Sequence, residues 1–102
     1  MTMTGKERAE LRSECNRLRP TVHVGAEGLS NTLTEALDDA LRTRELVKVQ
    51  LNKTADMTAK EAARELAGRV RAEIIQTIGK TATFYRKNPQ LKRKPGVPPW
   101  RE

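Results

Sequence analysis

A β-branched run, Thr21-Val22-His23-Val24, stops at Gly25, passes through Ala26 and Glu27 to a second glycine, Gly28, and gives way at Ser30 to a helical pattern. Strand, tight loop and helix start follow one another so closely that the chain has to be read as helices folding back onto a sheet. Glycines three apart allow positive φ and the close approach of another backbone, and Ser30 is a good N-cap for the helix behind it. The free N–H groups of such a helix start suit an anion, phosphate above all. An ordinary strand-to-helix connection would use the same residues, so the surrounding charge has to decide between the two readings.

That charge is strongly positive. Twenty Lys and Arg against thirteen Asp and Glu give a formal net charge of +7 over 102 residues, with a sequence pI near 10.1. Polyanions are the natural partners of such a chain. Phe84, Tyr85 and Trp100 are the only aromatic residues, too few for an aromatic stacking platform, so binding directed at a phosphate backbone is the better expectation.

The length predicts one domain with a modest core. Cys15 is alone, which excludes a disulfide framework and a cysteine-based metal site and suits a reducing compartment. The N-terminus lacks an apolar stretch of the signal-peptide kind and no later segment is apolar enough to span a membrane, so a cytoplasmic location is expected. His23 alternates with Val22 and Val24 as a strand-face residue would. With no second histidine and no metal-ligand cluster beside it, an RNA-processing enzyme is disfavoured, and no catalytic residue, metal, cofactor or small-molecule substrate is assigned.

Taken in order, Thr4-Gly5-Lys6-Glu7 matches a capping box, and Leu11, Cys15 and Leu18 continue a helical stripe, which predicts a helix from Thr4 to Leu18 that Pro20 ends. Thr21 to Val24 is the first strand. Ser30 to Thr43 is a second helix, with Leu33, Ala36, Leu37, Ala40 and Leu41 on one side. Its acids Glu35, Asp38 and Asp39 read as a solvated face, since Arg42 lies one turn beyond Asp38. Leu46 to Leu51 alternates, with Val47, Val49 and Leu51 inward and Lys48 and Gln50 on a solvated face. Thr58-Ala59-Lys60-Glu61 is another capping box, opening a helix whose stripe is Ala59, Ala62, Ala63, Leu66, Ala67 and Val70. Ile74 to Ile78 and Thr81 to Arg86 then form a hairpin across Gly79-Lys80. Gly79-Lys80-Thr81 is not the end of a P-loop, because Ile74 occupies the place of that motif's first glycine and a strand follows where a helix is needed.

From Lys87 onward four prolines forbid a helix, and five cations stand against one acid. This predicts a division into a domain over 1–86 and a basic proline-rich tail over 87–102. The tail is a solubilising extension or an arm lying along a phosphate backbone, and its removal should cost little stability.

The element order αβαβαββ, the segment Val22 to Ser30, the strand Glu45-Leu46-Val47-Lys48-Val49 and the ending Ile78-Gly79-Lys80-Thr81-Ala82-Thr83-Phe84-Tyr85-Arg86 together resemble the CRM domain (chloroplast RNA splicing and ribosome maturation), which occurs alone in bacteria as the YhbY type. The resemblance covers roughly residues 6–86. It implies an α/β (α+β) fold, a two-layer αβαβαββ arrangement with a mixed four-stranded sheet similar to the C-terminal domain of initiation factor three, its last strand antiparallel to the others. It also implies an RNA-binding module with a KH-like GxxG loop and a role on the ribosomal RNA of precursor large subunits. The candidate RNA contacts are then Gly25, Ala26, Glu27 and Gly28 of the loop, with Lys6, Arg8, Arg12, Arg17, Arg19, Lys80, Arg86, Lys92, Arg93 and Lys94 as cations for the phosphates. Glu27 departs from what a phosphate-cradling loop prefers, since an acid repels the backbone it would approach. The alternative is a protein-interaction module whose basic tail docks on an acidic partner.

Overall fold

The computed structural model describes residues 3–91 and 98–100. The elements are α1 (Gly5–Cys15), β1 (Pro20–Val24), α2 (Asn31–Arg44), β2 (Leu46–Leu51), α3 (Ala59–Val70), β3 (Glu73–Ile78) and β4 (Thr81–Tyr85). The order αβαβαββ is the expected one. Each helix starts on a hydroxyl: Thr4, Ser30 and Thr58 accept the backbone N–H of Glu7, Leu33 and Glu61. The capping box at Thr58 is reciprocal, because the Glu61 carboxylate also accepts the Thr58 N–H. At Thr4 it is not, for the Glu7 carboxylate takes the Thr4 hydroxyl instead. The Thr58 N–H and hydroxyl hold the Glu61 carboxyl below its ordinary pKa.

Helix α1 ends at Cys15, short of the expected Leu18. Its last carbonyl receives the Lys48 ammonium from the sheet at 2.7 Å, and the chain leaves through turn-like bonds from Arg17 to Glu14 and from Leu18 to Cys15. Helices α2 and α3 end on residues with positive φ that are not glycine, Glu45 (φ 65°) and Arg71 (φ 56°). Glu45 is fully buried; its carbonyl accepts the Arg86 N–H and its carboxylate the Asn88 N–H.

The sheet order is β1-β2-β4-β3. β1 runs parallel to β2, while β4 lies antiparallel to both β2 and β3, as expected for the last strand. One face carries the main core: Val22, Val24, Val47, Val49, Leu51, Ala82 and Phe84 of the strands meet Leu37 and Leu41 of α2 and the alanine-rich stripe of α3. The small side chains let α3 approach the sheet closely.

The two layers expected from sequence describe the sheet with α2 and α3. Helix α1 adds a partial third layer, because its narrow stripe Leu11 and Cys15 packs with Leu46 and Ile75 on the opposite face. A bulge makes this possible: Ile74 opposes Phe84 and Gln76 opposes Thr83, which leaves Ile75 as an extra residue turned toward α1. The face expected to be solvated around Lys48 and Gln50 is therefore half covered, with Lys48 half-buried beneath α1 and Gln50 exposed. Burial pushes the Cys15 thiol pKa up, so this cysteine behaves as a small apolar group.

Beyond β4, Asn88 and Trp100 keep contact with the domain. Besides its bond to Glu45, Asn88 donates through its amide to the Arg42 carbonyl, and Trp100 packs edge-on against Tyr85 in the α1-side core, ring centroids 6.3 Å apart. Set beside the expectation that removing the tail costs little stability, these are the contacts that its removal would break. Its cations Lys92, Arg93, Lys94 and Arg101 lie outside the described residues.

Candidate nucleic-acid interface

β1, β2 and β3 all run in one direction, so their C-terminal ends share one edge of the sheet. Three loops gather there: residues 25–30 into α2, residues 52–58 into α3, and the β3–β4 turn. They are tied together by backbone bonds, Asn52 N–H to the Val24 carbonyl at 2.8 Å and Leu51 N–H to the Lys80 carbonyl at 2.7 Å.

The glycine loop is a closed β-turn in which the Gly28 N–H donates to the Gly25 carbonyl at 3.0 Å, placing Ala26 and Glu27 at an exposed tip. The two glycines differ. Gly28 has φ +69°, and a Cβ there would also touch the Met57 methyl group at 3.5 Å. Gly25 is not in the positive-φ region and a Cβ on it would meet the Asn52 amide at an ordinary 3.8 Å, so the expectation that both glycines need positive φ holds only for Gly28. Behind the turn the α2 start is capped by Ser30, which leaves the N–H groups of Asn31 and Thr32, both exposed, facing outward without intrahelical partners.

A residue that sequence reading missed holds the loop in place. Arg69 of α3, paired with Glu65, donates to the Leu29 carbonyl at 2.7 Å and to the Thr34 hydroxyl at 3.2 Å, bracing the loop against α2. Two missed cations, Lys53 and Lys60, are exposed at the same edge as Lys80. Lys60 and Gly79 flank a cleft of about 230 Å³ between the α3 start and the hairpin. The signal for them was position, since both lie along the passage from β2 into α3, but without the sheet order nothing links that passage to Lys80. Glu27, Asp56 and Glu61, the last bonded to the Thr58 N–H, are exposed acids of this edge.

The remaining expected contacts are distributed elsewhere. Lys6 and Arg12 are exposed on α1, and Arg17 and Arg19 are exposed where the chain enters β1, at the far edge of the sheet. Six residues of β2 separate the two edges, about 17 Å at ordinary strand rise. Arg8 donates to the Ile74 carbonyl at 3.1 Å and pairs with Glu73 at 2.6 Å. Arg86 is engaged more fully: its guanidinium reaches Asp38 Oδ1 and the Val70 carbonyl, each at 2.7 Å, and the Asp38 carbonyl at 3.1 Å. Both arginines fasten the fold, Arg8 between α1 and β3 and Arg86 between the end of β4 and the two helices behind it. Asp39 and Asp38 pair with Arg42 and Glu35 is exposed, while Asp38, expected on a solvated face, is half-buried and also holds Arg86. Among the described residues no group of three His, Cys, Asp or Glu is placed to hold a metal ion, and no helix is long and apolar enough to cross a membrane.

A mixed four-stranded sheet in the order β1-β2-β4-β3, with a glycine turn opening α2 at one edge, defines a small α+β module of the kind implied by the motifs. The chain belongs to the CRS1 / YhbY (CRM) domain family, whose model matches residues 3–86. It is 31% identical over 91 residues to "Probable RNA-binding protein YqeI" of Bacillus subtilis (strain 168), covering 89% of this chain and 95% of that one. It is 32% identical over 90 residues to "Probable RNA-binding protein PA4753" of Pseudomonas aeruginosa, covering 88% and 86%. The solution structure of SAV1595 from Staphylococcus aureus shares the fold with a TM-score of 0.71 at 32% identity, over 89% of this chain and 95% of that one.

Proposed function

We propose that this protein is a non-enzymatic RNA-binding factor of the cytoplasm that acts on the ribosomal RNA of precursor large subunits during assembly. The observation that carries the RNA reading is the edge where the Gly25–Gly28 turn, the open N–H groups of α2 and the exposed Lys53, Lys60 and Lys80 meet, in a chain of net charge +7. Backbone N–H groups and lysines at one edge suit phosphates and carry no sequence code of their own. The names of the Bacillus and Pseudomonas relatives support RNA as the partner, and the resemblance to the YhbY type supports the assembly role. Residues 1–86 form the binding module in this reading, while 87–102 supply further cations for the same backbone. The far-edge residues Arg17 and Arg19 and the α1 residues Lys6 and Arg12 add to the positive field that steers RNA in.

Crosslinking in cells followed by sequencing of the attached RNA tests both halves. Reads concentrated on large-subunit ribosomal RNA, and lost in Gly28→Val, agree with the proposal. Reads spread evenly over messenger RNAs would remove the assembly role. Co-purifying partners that persist after RNase treatment, without crosslinked RNA, would favour a protein-interaction module instead.

A further inference from the structure

Strand register places four side chains in a single row across the whole sheet: His23 opposite Gln50, Gln50 opposite Thr81, and Thr81 opposite Ile78. Val22 and Val24 enter the main core, so His23 points to the other face, the one α1 covers in part. Coverage stops one row short. The Cys15 carbonyl at the end of α1 lies on Lys48, and the row Lys48, Thr83 and Gln76 is half-buried or buried beneath it. The next row is open: His23 and Gln50 are exposed, and Ile78, at 57% exposure, is the large apolar side chain left uncovered among the described residues. Between the row and the end of α1 lies a cleft of about 110 Å³ with Asn16, Gln76 and Thr81 on its walls.

We infer that this row is a ledge for unpaired bases of the RNA whose backbone follows the adjoining lysine edge. The inference rests on the RNA reading above and adds a place for the bases. The row spans about 14 Å at ordinary strand spacing. It carries no acid and no ammonium, and it offers an imidazole face, an amide with donor and acceptor, and an apolar end at Ile78. The Thr81 hydroxyl already donates to the Ile78 carbonyl at 2.8 Å and retains lone pairs for a base amino group. Neither the His23 nor the Gln50 side chain has a hydrogen-bond partner among the described residues. An amide side chain suits the paired donor and acceptor of a base edge, and single-stranded RNA exposes such edges.

Charge complementarity and continuity with the edge fix the occupant. Each member of the row lies beside a loop of that edge: His23 is two residues before Gly25, Gln50 three before Lys53, and Ile78 two before Lys80. A strand held by its phosphates at the loops would therefore turn its bases onto the row. A protein partner fits poorly, since one isoleucine is little apolar surface for the centre of a protein interface. The three aromatic rings take no part, for Phe84 is in the main core and Tyr85 and Trp100 are packed together near α1.

Fluorescence anisotropy with two labelled oligoribonucleotides of equal length, one with its bases and one abasic throughout, tests the ledge on the full chain. Wild type should bind the base-bearing strand about five- to tenfold more tightly than the abasic one. The exposed-site variants His23→Ala, Gln50→Ala and Ile78→Ser, combined, should abolish that difference, leaving abasic affinity and the salt dependence unchanged. Equal wild-type affinity for the two strands, or an unchanged preference in the folded triple variant, would overturn the ledge while leaving backbone binding intact. Absence of binding to either strand at low salt would overturn the RNA reading itself, and the ledge with it.

Discussion

Gly25 and Gly28 look alike in the sequence, yet only Gly28 has the left-handed backbone that a side chain resists, at φ +69°. Gly28→Ala should cost about 1 kcal/mol of stability and lower RNA affinity by disturbing the turn, whereas Gly25→Ala should stay within about 0.5 kcal/mol of wild type. Urea melts paired with RNA titrations check both, and equal behaviour of the two variants would contradict the distinction. Glu61 gives a second prediction at this scale. Its bond from the Thr58 N–H lowers its pKa from the ordinary 4.5, so the fold favours the ionised carboxylate. That contribution is complete above the ordinary carboxylate pKa and disappears as pH falls through the lowered folded value. Wild type should therefore exceed Glu61→Gln in stability near pH 7, and the gap should close as melts are repeated below pH 4.5.

At the scale of elements, Arg86 acts as a bracket. Arg86→Lys would keep the charge but lose the planar fork that reaches Asp38 and Val70 together. It should destabilise by about 1–3 kcal/mol in urea melts while leaving the salt dependence of RNA binding as it was. A flattened salt slope with unchanged stability would return Arg86 to the binding surface. The elements themselves were legible in the sequence because local signals agreed: hydroxyl caps at Thr4, Ser30 and Thr58, apolar stripes of helical period, and a glycine at the hairpin. What was hidden depends on tertiary placement. The stripe Leu11 and Cys15 says that α1 packs, but which sheet face it takes follows from the bulge at Ile75, which no residue type announces. The end of α2 was expected within a residue of Arg44, but its left-handed cap at Glu45 was hidden for a related reason, since an acid at positive φ is tolerated there by its burial and by the Asn88 N–H. In the candidate site the glycine turn was legible; Arg69, Lys53 and Lys60 were not, because only the sheet order brings their connections to one edge.

For the whole molecule, contacts with the domain continue past the last strand, at Asn88 and Trp100. Deleting 87–102 removes the Asn88 N–H from the buried Glu45 carboxylate and Trp100 from Tyr85. The loss should be about 2–4 kcal/mol in urea melts, and a deletion that keeps Asn88 should recover part of it. A shortened chain as stable as the full one would show that these anchors contribute nothing. Asn88 and Trp100, which lie in a stretch that reads in sequence as a bearer of charge, thus also pack against the domain, and the signal was a lone tryptophan among prolines. The central claim is that RNA backbone binding concentrates at the edge shared by the ends of β1, β2 and β3. Its most direct test is the slope of log K against log salt for single-stranded RNA, measured on wild type and two triple variants. Replacing Lys53, Lys60 and Lys80 by Gln should flatten the slope by about 2, at roughly 0.7 for each phosphate no longer neutralised. Replacing Lys6, Arg12 and Arg17 by Gln should leave it nearly unchanged. Equal flattening in both variants, or none in the first, would contradict the account.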